Sequence, residues 1–298
     1  NRDLPFDTFK EIIDDIPNLK WLNLTGEGSA FLNPDFIKIV SYAKQKGLYV
    51  DFSHDFAKFR LEDMESVVKL GVERIYWSFD GVTKDTYEKI RVGANFPEVC
   101  KNVLNLLFVK NMFKSPLPEV CFRFCFFKDN MDEVPLIPSF LYNLVLGNVK
   151  AYGDEPSINI VSLLEFEETK GWVVEIYKDI IKRTNEEAKR YGFRIYWSHV
   201  SHVENNKAPL DWCTFWSEPY IMISGHVVPC CATLMSNKRP ELEELAFGNI
   251  YEEPLSKIWK RYGDFRKLVV NRRGEVPRGC LGCRSFNTLD RFGKYGVK

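Results

Sequence analysis

The sequence predicts an α/β fold of alternating parallel strands and helices, and three observations carry that expectation. Short strand-like runs and longer runs with helical spacing succeed one another down to about residue 197. The connections between them are short. Three consecutive strand-like runs end in small polar groups: Gly26-Glu27-Gly28-Ser29, Ser53-His54-Asp55 and Ser78-Phe79-Asp80. Strands joined through helices by short connections make right-handed βαβ units. A barrel, or part of one, fits this order better than an open sheet.

Taken in order, Leu4-Pro5-Phe6-Asp7 leads into a helix with Phe9, Ile12, Ile13 and Ile16 on one face, ending at Pro17. Leu19 to Leu24 alternates as a strand and runs into the glycine-rich turn. Asn33-Pro34-Asp35 caps a second helix that reaches Lys46, with Pro34 at the first helical position and Gly47 closing it. Tyr49 to Ser53 is a strand and Leu61 to Leu70 a helix. Arg74 to Phe79 is the next strand, followed by helices over Thr83 to Ile90 and Phe96 to Asn111. Glu119 to Phe127 is a strand, Asp132 to Leu146 a helix and Ser157 to Leu163 a strand. A long helix from about Glu168 to Tyr191 precedes the strand Phe193 to Trp197.

Bulk properties narrow the classes. A chain of 298 residues, 45% hydrophobic, can bury a large core in one large domain or two. Its 41 basic and 41 acidic residues cancel, so the charge points to no nucleic acid or anionic membrane partner. No apolar run approaches the ~20 residues of a membrane helix, and no secretory signal opens the chain. A cytoplasmic protein is expected. The first residue is Asn1 rather than methionine, so upstream residues are expected as well.

Five of the eight cysteines fall late in the chain: Cys213, Cys230, Cys231, Cys280 and Cys283. Cys280-Leu281-Gly282-Cys283 is a C-x-x-C knuckle, and with Cys213 and Cys230 it supplies four soft thiolates. Such a set suits a tetrahedral zinc or a four-iron cluster, and the spacing alone does not choose. Clustering of this kind reads as reduced metal ligands rather than a secreted disulfide framework. Cys100, Cys121 and Cys125 read as core thiols.

In a parallel α/β fold the chemistry sits at the carboxyl ends of the strands. Gly26, Gly28 and Ser29 permit close backbone approach to a ligand there, although a plain glycine turn would look the same. Arg123, inside an apolar strand, needs an anion as partner. His199 and His202 read first as a solvated loop, and His226 as exposed in a hairpin turn. The runs Glu165 to Glu168 and Glu241 to Glu244 read as helix starts or solvated faces. Trp197, Trp212, Trp216 and Trp259 read as packing around the metal.

The run from Leu22 to Asn105 resembles the radical S-adenosylmethionine (SAM) superfamily. Gly26-Glu27-Gly28-Ser29, with the trailing Pro34-Asp35, is similar to that family's glycine-rich motif at the SAM amine. Ser53-His54-Asp55 stands where the family often has Thr-Asn-Gly; Ser78 to Gly81, Tyr87 to Arg91 and Gly93 to Phe96 continue the likeness. The tail resembles the SPASM/twitch extension. Cys213, Gly225, Cys230, Phe247-Gly248-Asn249-Ile250, Ile258-Trp259 and Cys280-x-x-Cys283 carry that likeness.

The resemblance implies a partial (β/α)6 TIM-type barrel over residues 1–197 and a small Cys-rich iron–sulfur domain over 198–298. It implies an oxidoreductase-type radical enzyme that cleaves SAM to a 5′-deoxyadenosyl radical and abstracts hydrogen from a peptide, protein or small-molecule substrate. Gly26, Glu27, Gly28 and Ser29 would meet the methionyl amine, Ser53, Ser78 and Asp80 line the SAM pocket, and Arg123 take the carboxylate. Cys213, Cys230, Cys280 and Cys283 would hold one auxiliary [4Fe–4S] cluster, with Cys231 the spare. Two departures stand out. The family's first strand and its Cys-x3-Cys-x2-Cys loop are absent, and a second [4Fe–4S] cluster is expected on residues upstream of Asn1. The usual glutamate of the glycine motif is Ser29, with Glu27 two positions earlier. A ferredoxin or flavodoxin is the implied electron donor. A zinc-tailed binding protein, or a relative without SAM-cleaving activity, remains the alternative.

Overall fold

The computed structural model describes residues 3–26, 28–145, 157–163, 169, 171–198, 219–228, 243 and 246–270, with side chains to residue 264. A six-stranded parallel sheet organises it: β1 (Trp21–Asn23), β2 (Tyr49–His54), β3 (Arg74–Ser78), β4 (Glu119–Phe126), β5 (Ser157–Ser162) and β6 (Arg194–Ser198). The strands pair in chain order, each parallel to the last. Right-handed crossovers in unbroken order put every connecting helix on one face, so the sheet curls about its other face as part of a TIM-type barrel.

The two faces differ in chemistry because side chains alternate along a strand. Phe52, Ile75, Trp77, Phe122, Phe124, Ile158 and Ile160 are buried together with residues of the helix layer, and Val50 is buried beside them with the first two α-helices. That layer holds α2 (Phe36–Gln45), α3 (Leu61–Leu70), α5 (Phe96–Met112), α6 (Ile137–Val145) and α7 (Lys178–Tyr191), with the short α4 (Lys84–Ile90) at the rim. The intervening positions, Asn23, Asp51, Ser53, Tyr76, Ser78, Arg123 and Asn159, are polar and line the concave face.

Local chemistry explains where elements depart from expectation. The second helix begins at Phe36, not Pro34, because the Asn33 side chain accepts the Asp35 N–H at 2.9 Å and holds a turn across the proline. The helix expected over Asp132 to Leu146 is a 3-10 segment, Met131–Leu136, followed by α6. Pro135 and Pro138 each remove a backbone donor there. Residues 171–177 precede α7 rather than join it. Trp172 packs on Phe127, and its carbonyl accepts the Lys128 N–H at 2.9 Å, a tertiary anchor that outweighs helical propensity.

After β6, the hairpin β7 (Tyr220–Ile221) and β8 (Val227–Val228) leads to α8 (Leu255–Val270). Val227, Leu255 and Ile258 bury against Ile12 and Ile16, at the end of α1 (Phe6–Asp14) and just beyond it. Among the described residues no helix is long and apolar enough to cross a membrane.

Candidate functional site at the carboxyl rim

The sheet register brings polar residues from four strands to one place. Arg123 pairs with Ser78 on β3 and with Asn159 on β5, and Ser53 pairs with Tyr76. The Arg123 Nε donates to Asn159 Oδ1 at 3.2 Å and its Nη1 to Ser53 Oγ at 3.3 Å. Its guanidinium lies over the Tyr76 ring, 3.8 Å from the centroid. Asn159 in turn donates to Ser198 Oγ at 3.0 Å. Neutral groups thus bind the cation directly, and among the described residues no carboxylate forms an ion pair with it; the buried Asp51 acts on it only through space. A guanidinium so held is a preorganised anion site.

The glycine-rich loop borders this centre. Gly28 has φ +87°, a conformation that costs an L side chain strain, and no heavy atom lies within 4 Å of where a Cβ would stand at Gly26 or Gly28. The backbone is therefore open on this side of the loop. Glu27 lies outside the described residues. Thr25 Oγ1 accepts the Ser53 N–H at 2.9 Å, tying the loop's root to β2. Ser29 Oγ lies 3.1 Å from His54 Nε2.

Asp80 is buried, and both of its oxygens are engaged within the fold. One oxygen accepts the Cys125 N–H at 3.0 Å and the other accepts from Arg91 Nη2 at 2.7 Å. Asn130 closes the arrangement by donating to the carbonyls of Asp80 and Cys125, each at 2.9 Å. This network fixes the ends of β3 and β4 at the rim. Ser78 stands at its β3 position facing Arg123 across the ladder.

Burial disfavours the thiolate form of the barrel cysteines. Burial, with Asp80 nearby, pushes the Cys125 thiol up to about 12, and burial takes Cys100 to about 11 and raises Cys121. Protonated thiols neither attack nor ligate readily. Among the described residues no three His, Cys, Asp or Glu side chains gather to hold a metal. Cys213, Cys230, Cys231, Cys280 and Cys283 lie outside the described residues, as do His199 and His202.

Sequence reasoning passed over Tyr76, Asn159, Asn130 and the role of His54. The first two had a readable signal: each is the polar member of an alternating strand, Ile75-Tyr76-Trp77 and Ile158-Asn159-Ile160, just as Arg123 is. Asn130 lay in a loop, and nothing local marked its partners.

Residues 213–284 match the SPASM family, an iron–sulfur cluster-binding domain. The chain is 24% identical to the tungsten-containing aldehyde ferredoxin oxidoreductase cofactor-modifying protein of Pyrococcus furiosus, across 97% of this chain and 81% of that one. It is 24% identical to the AdoMet-dependent heme synthase of Methanosarcina barkeri, across 95% and 83%. In fold it is similar to Streptococcus suis SuiB in the S-adenosylmethionine-bound crystal structure, with TM-score 0.67 at 13% identity. That match covers 97% of this chain and 65% of SuiB, so the chain spans just under two thirds of SuiB's length. SuiB has also been solved with its precursor peptide SuiA bound. In sequence and in fold the chain is similar to these radical SAM relatives, and residues 213–284 carry the SPASM match.

Proposed function

We propose that the chain binds S-adenosylmethionine across the carboxyl rim of its sheet and directs it at a peptide, a protein side chain or a small metabolite held over the same rim. The observation that carries this reading is the Arg123 guanidinium, held by Ser53, Asn159 and Tyr76 beside the open backbone of Gly26 and Gly28. Gly26, Glu27, Gly28 and Ser29 would hold the methionyl amine, and Arg123 the carboxylate. Ser53 and Ser78 would line the pocket. Asp80 would act from behind it, through Arg91 and Cys125, by fixing the strand ends. With a reduced four-iron cluster, bound SAM supplies a 5′-deoxyadenosyl radical that abstracts hydrogen. The protein's share is to orient the two reactants and exclude water.

Residues 1–197 would form the SAM-binding barrel and 198–298 the auxiliary cluster module. Cys213, Cys230, Cys280 and Cys283 would be the ligands of one [4Fe–4S] cluster, since four soft thiolates match its needs. A ferredoxin or flavodoxin would deliver the electron. The likeness to SuiB supports a peptide substrate, and the likeness to a cofactor-modifying protein supports a small molecule.

The test is direct. Protein from the complete gene, purified without oxygen and reconstituted with iron and sulfide, should be brown. On reduction it should release methionine and 5′-deoxyadenosine from SAM. A colourless protein that holds one zinc and ignores SAM would overturn the reading.

A further inference from the structure

His54 is buried at 3% exposure, at the end of β2, under the glycine-rich loop. Its ring is packed edge-on by Phe31, Phe56 and Phe59, at centroid distances of 5.1, 5.5 and 5.0 Å. The Phe56 N–H donates to His54 Nδ1 at 3.0 Å, and Phe56 itself has φ 63°, a left-handed conformation unusual for an aromatic residue. A ring nitrogen that accepts a hydrogen bond carries no proton, so the proton of the neutral ring sits on Nε2. Nε2–H therefore donates to Ser29 Oγ, 3.1 Å away. Asp55, the nearest carboxylate, lies 3.9 Å from Nε2 and is partly exposed.

We propose that His54 is a positioning residue for the amino-acid end of SAM, acting through Ser29. A hydroxyl has one hydrogen and two lone pairs. With one lone pair taken by His54, Ser29 keeps one lone pair and its hydrogen. Those are the complementary functions that an ammonium and a carboxylate on one carbon require. The strained turn at Phe56 and the aromatic packing fix the ring, and the ring fixes the hydroxyl. The proposal rests on the reading of the loop as the SAM cradle, and its test separates the two.

The test uses full-length protein titrated with SAM and with 5′-methylthioadenosine, which lacks the amino-acid end. His54→Asn preserves an acceptor for the Phe56 N–H, the same two-residue turn, but cannot reach Ser29. His54→Gln can place an N–H near Ser29. Ser29→Ala and His54→Asn should each weaken SAM binding roughly fivefold, as loss of one hydrogen bond would. The double variant should be no weaker than either single one. Methylthioadenosine affinity should be unchanged, and His54→Gln should recover most of the SAM affinity. Full SAM affinity in His54→Asn, multiplied losses in the double variant, or equal losses on both nucleosides would overturn the proposal. A wild type that binds neither nucleoside would remove the SAM reading and the positioning role with it. Nitrogen-15 NMR reads the clamp independently, since the chain has 4 histidines and His54→Asn identifies the resonance. A neutral Nε2–H ring that shifts in Ser29→Ala is expected, and an Nδ1–H ring would refute the clamp.

Discussion

The Arg123 guanidinium carbon lies over Tyr76, 3.8 Å from the ring centroid, although its ladder partner on β3 is Ser78. The diagonal contact follows from sheet twist, which carries a long side chain to the neighbouring pair. It lets an aromatic face, rather than a carboxylate, stabilise the cation, so the guanidinium's affinity for an incoming anion is not spent internally.

Arg123→Ala should therefore weaken SAM binding roughly tenfold, in the range of a charge-assisted hydrogen bond. Arg123→Lys should fall between, because a lysine keeps the charge and loses the planar fork of donors. Equilibrium titration of full-length protein measures both. An alanine variant with unaltered affinity would remove Arg123 from the site.

Acid should destabilise the barrel through His54. Burial lowers its pKa from 6.5 to about 4, with Asp55 and Asp63 opposing more weakly. Between those values the unfolded chain binds a proton that the folded chain refuses, so stability rises with pH across that window and is lost on acidification. The full effect is on the order of 3 kcal/mol at one pKa unit per 1.36 kcal/mol. Denaturant melts at pH 7 and pH 5 should show the loss in wild type and a smaller one in His54→Gln. Equal slopes in the two proteins would assign the acid sensitivity elsewhere.

Much of this rim was legible before any coordinates, and the reason is periodicity. Ser53, Ser78 and Arg123 are polar residues at the ends or inner positions of apolar strands, and a parallel sheet delivers such positions to one edge. Asp80 was read at a strand end, where β3 does close, but its partners were not legible. Its carboxylate is satisfied by Cys125 and Arg91, 45 and 11 residues away, and only the folded chain brings them together. His54 had the same problem. Beside Ser53 it looked like another rim residue, yet alternation turns it to the helix side, where Phe31, Phe56, Phe59 and Ser29 surround it.

Gly81 is held by close approach rather than by its backbone angles. A Cβ there would lie 2.6 Å from the Tyr87 backbone nitrogen and 2.8 Å from its Cα. Backbone cannot swing aside as a flexible side chain can, so Gly81→Ala should cost about 1–3 kcal/mol of overpacking strain. Chemical denaturation should show the loss. Displacing α4 should also loosen Arg91 from Asp80, so SAM affinity should fall together with stability.

The cysteine assignment separates two neighbours. Cys230 stands four residues beyond Gly225, the spacing that the resemblance to SPASM tails implies for a ligand, and Cys231 stands one further on. Cys230→Ala should lose the auxiliary cluster's iron after anaerobic reconstitution, about four atoms per chain, while Cys231→Ala should retain it. Iron and sulfide assays decide between them, and equal losses would make the spacing argument wrong.

The tail is tied to the barrel through a cap supplied from far away in sequence. Asp15 follows α1, yet its carboxylate accepts the Ser256 backbone N–H at 2.6 Å and the Ser256 hydroxyl at 3.0 Å. Ser256 sits in the first turn of α8, where backbone donors lack partners within the helix and the helix dipole favours a negative charge. Beneath this contact, Leu255 and Ile258 pack on Ile12 and Ile16, so the polar cap and the apolar seam fix one orientation. Removing a helix cap costs about 1 kcal/mol, and Asp15→Ala should lose that much. The loss should appear locally. Hydrogen exchange should speed up in α8 and on α1 while β2 to β5 keep their protection, because the sheet does not depend on the cap. Asp15→Asn retains an acceptor without the charge and should lie between. Unchanged exchange in α8 of Asp15→Ala would mean that the apolar seam alone positions the tail.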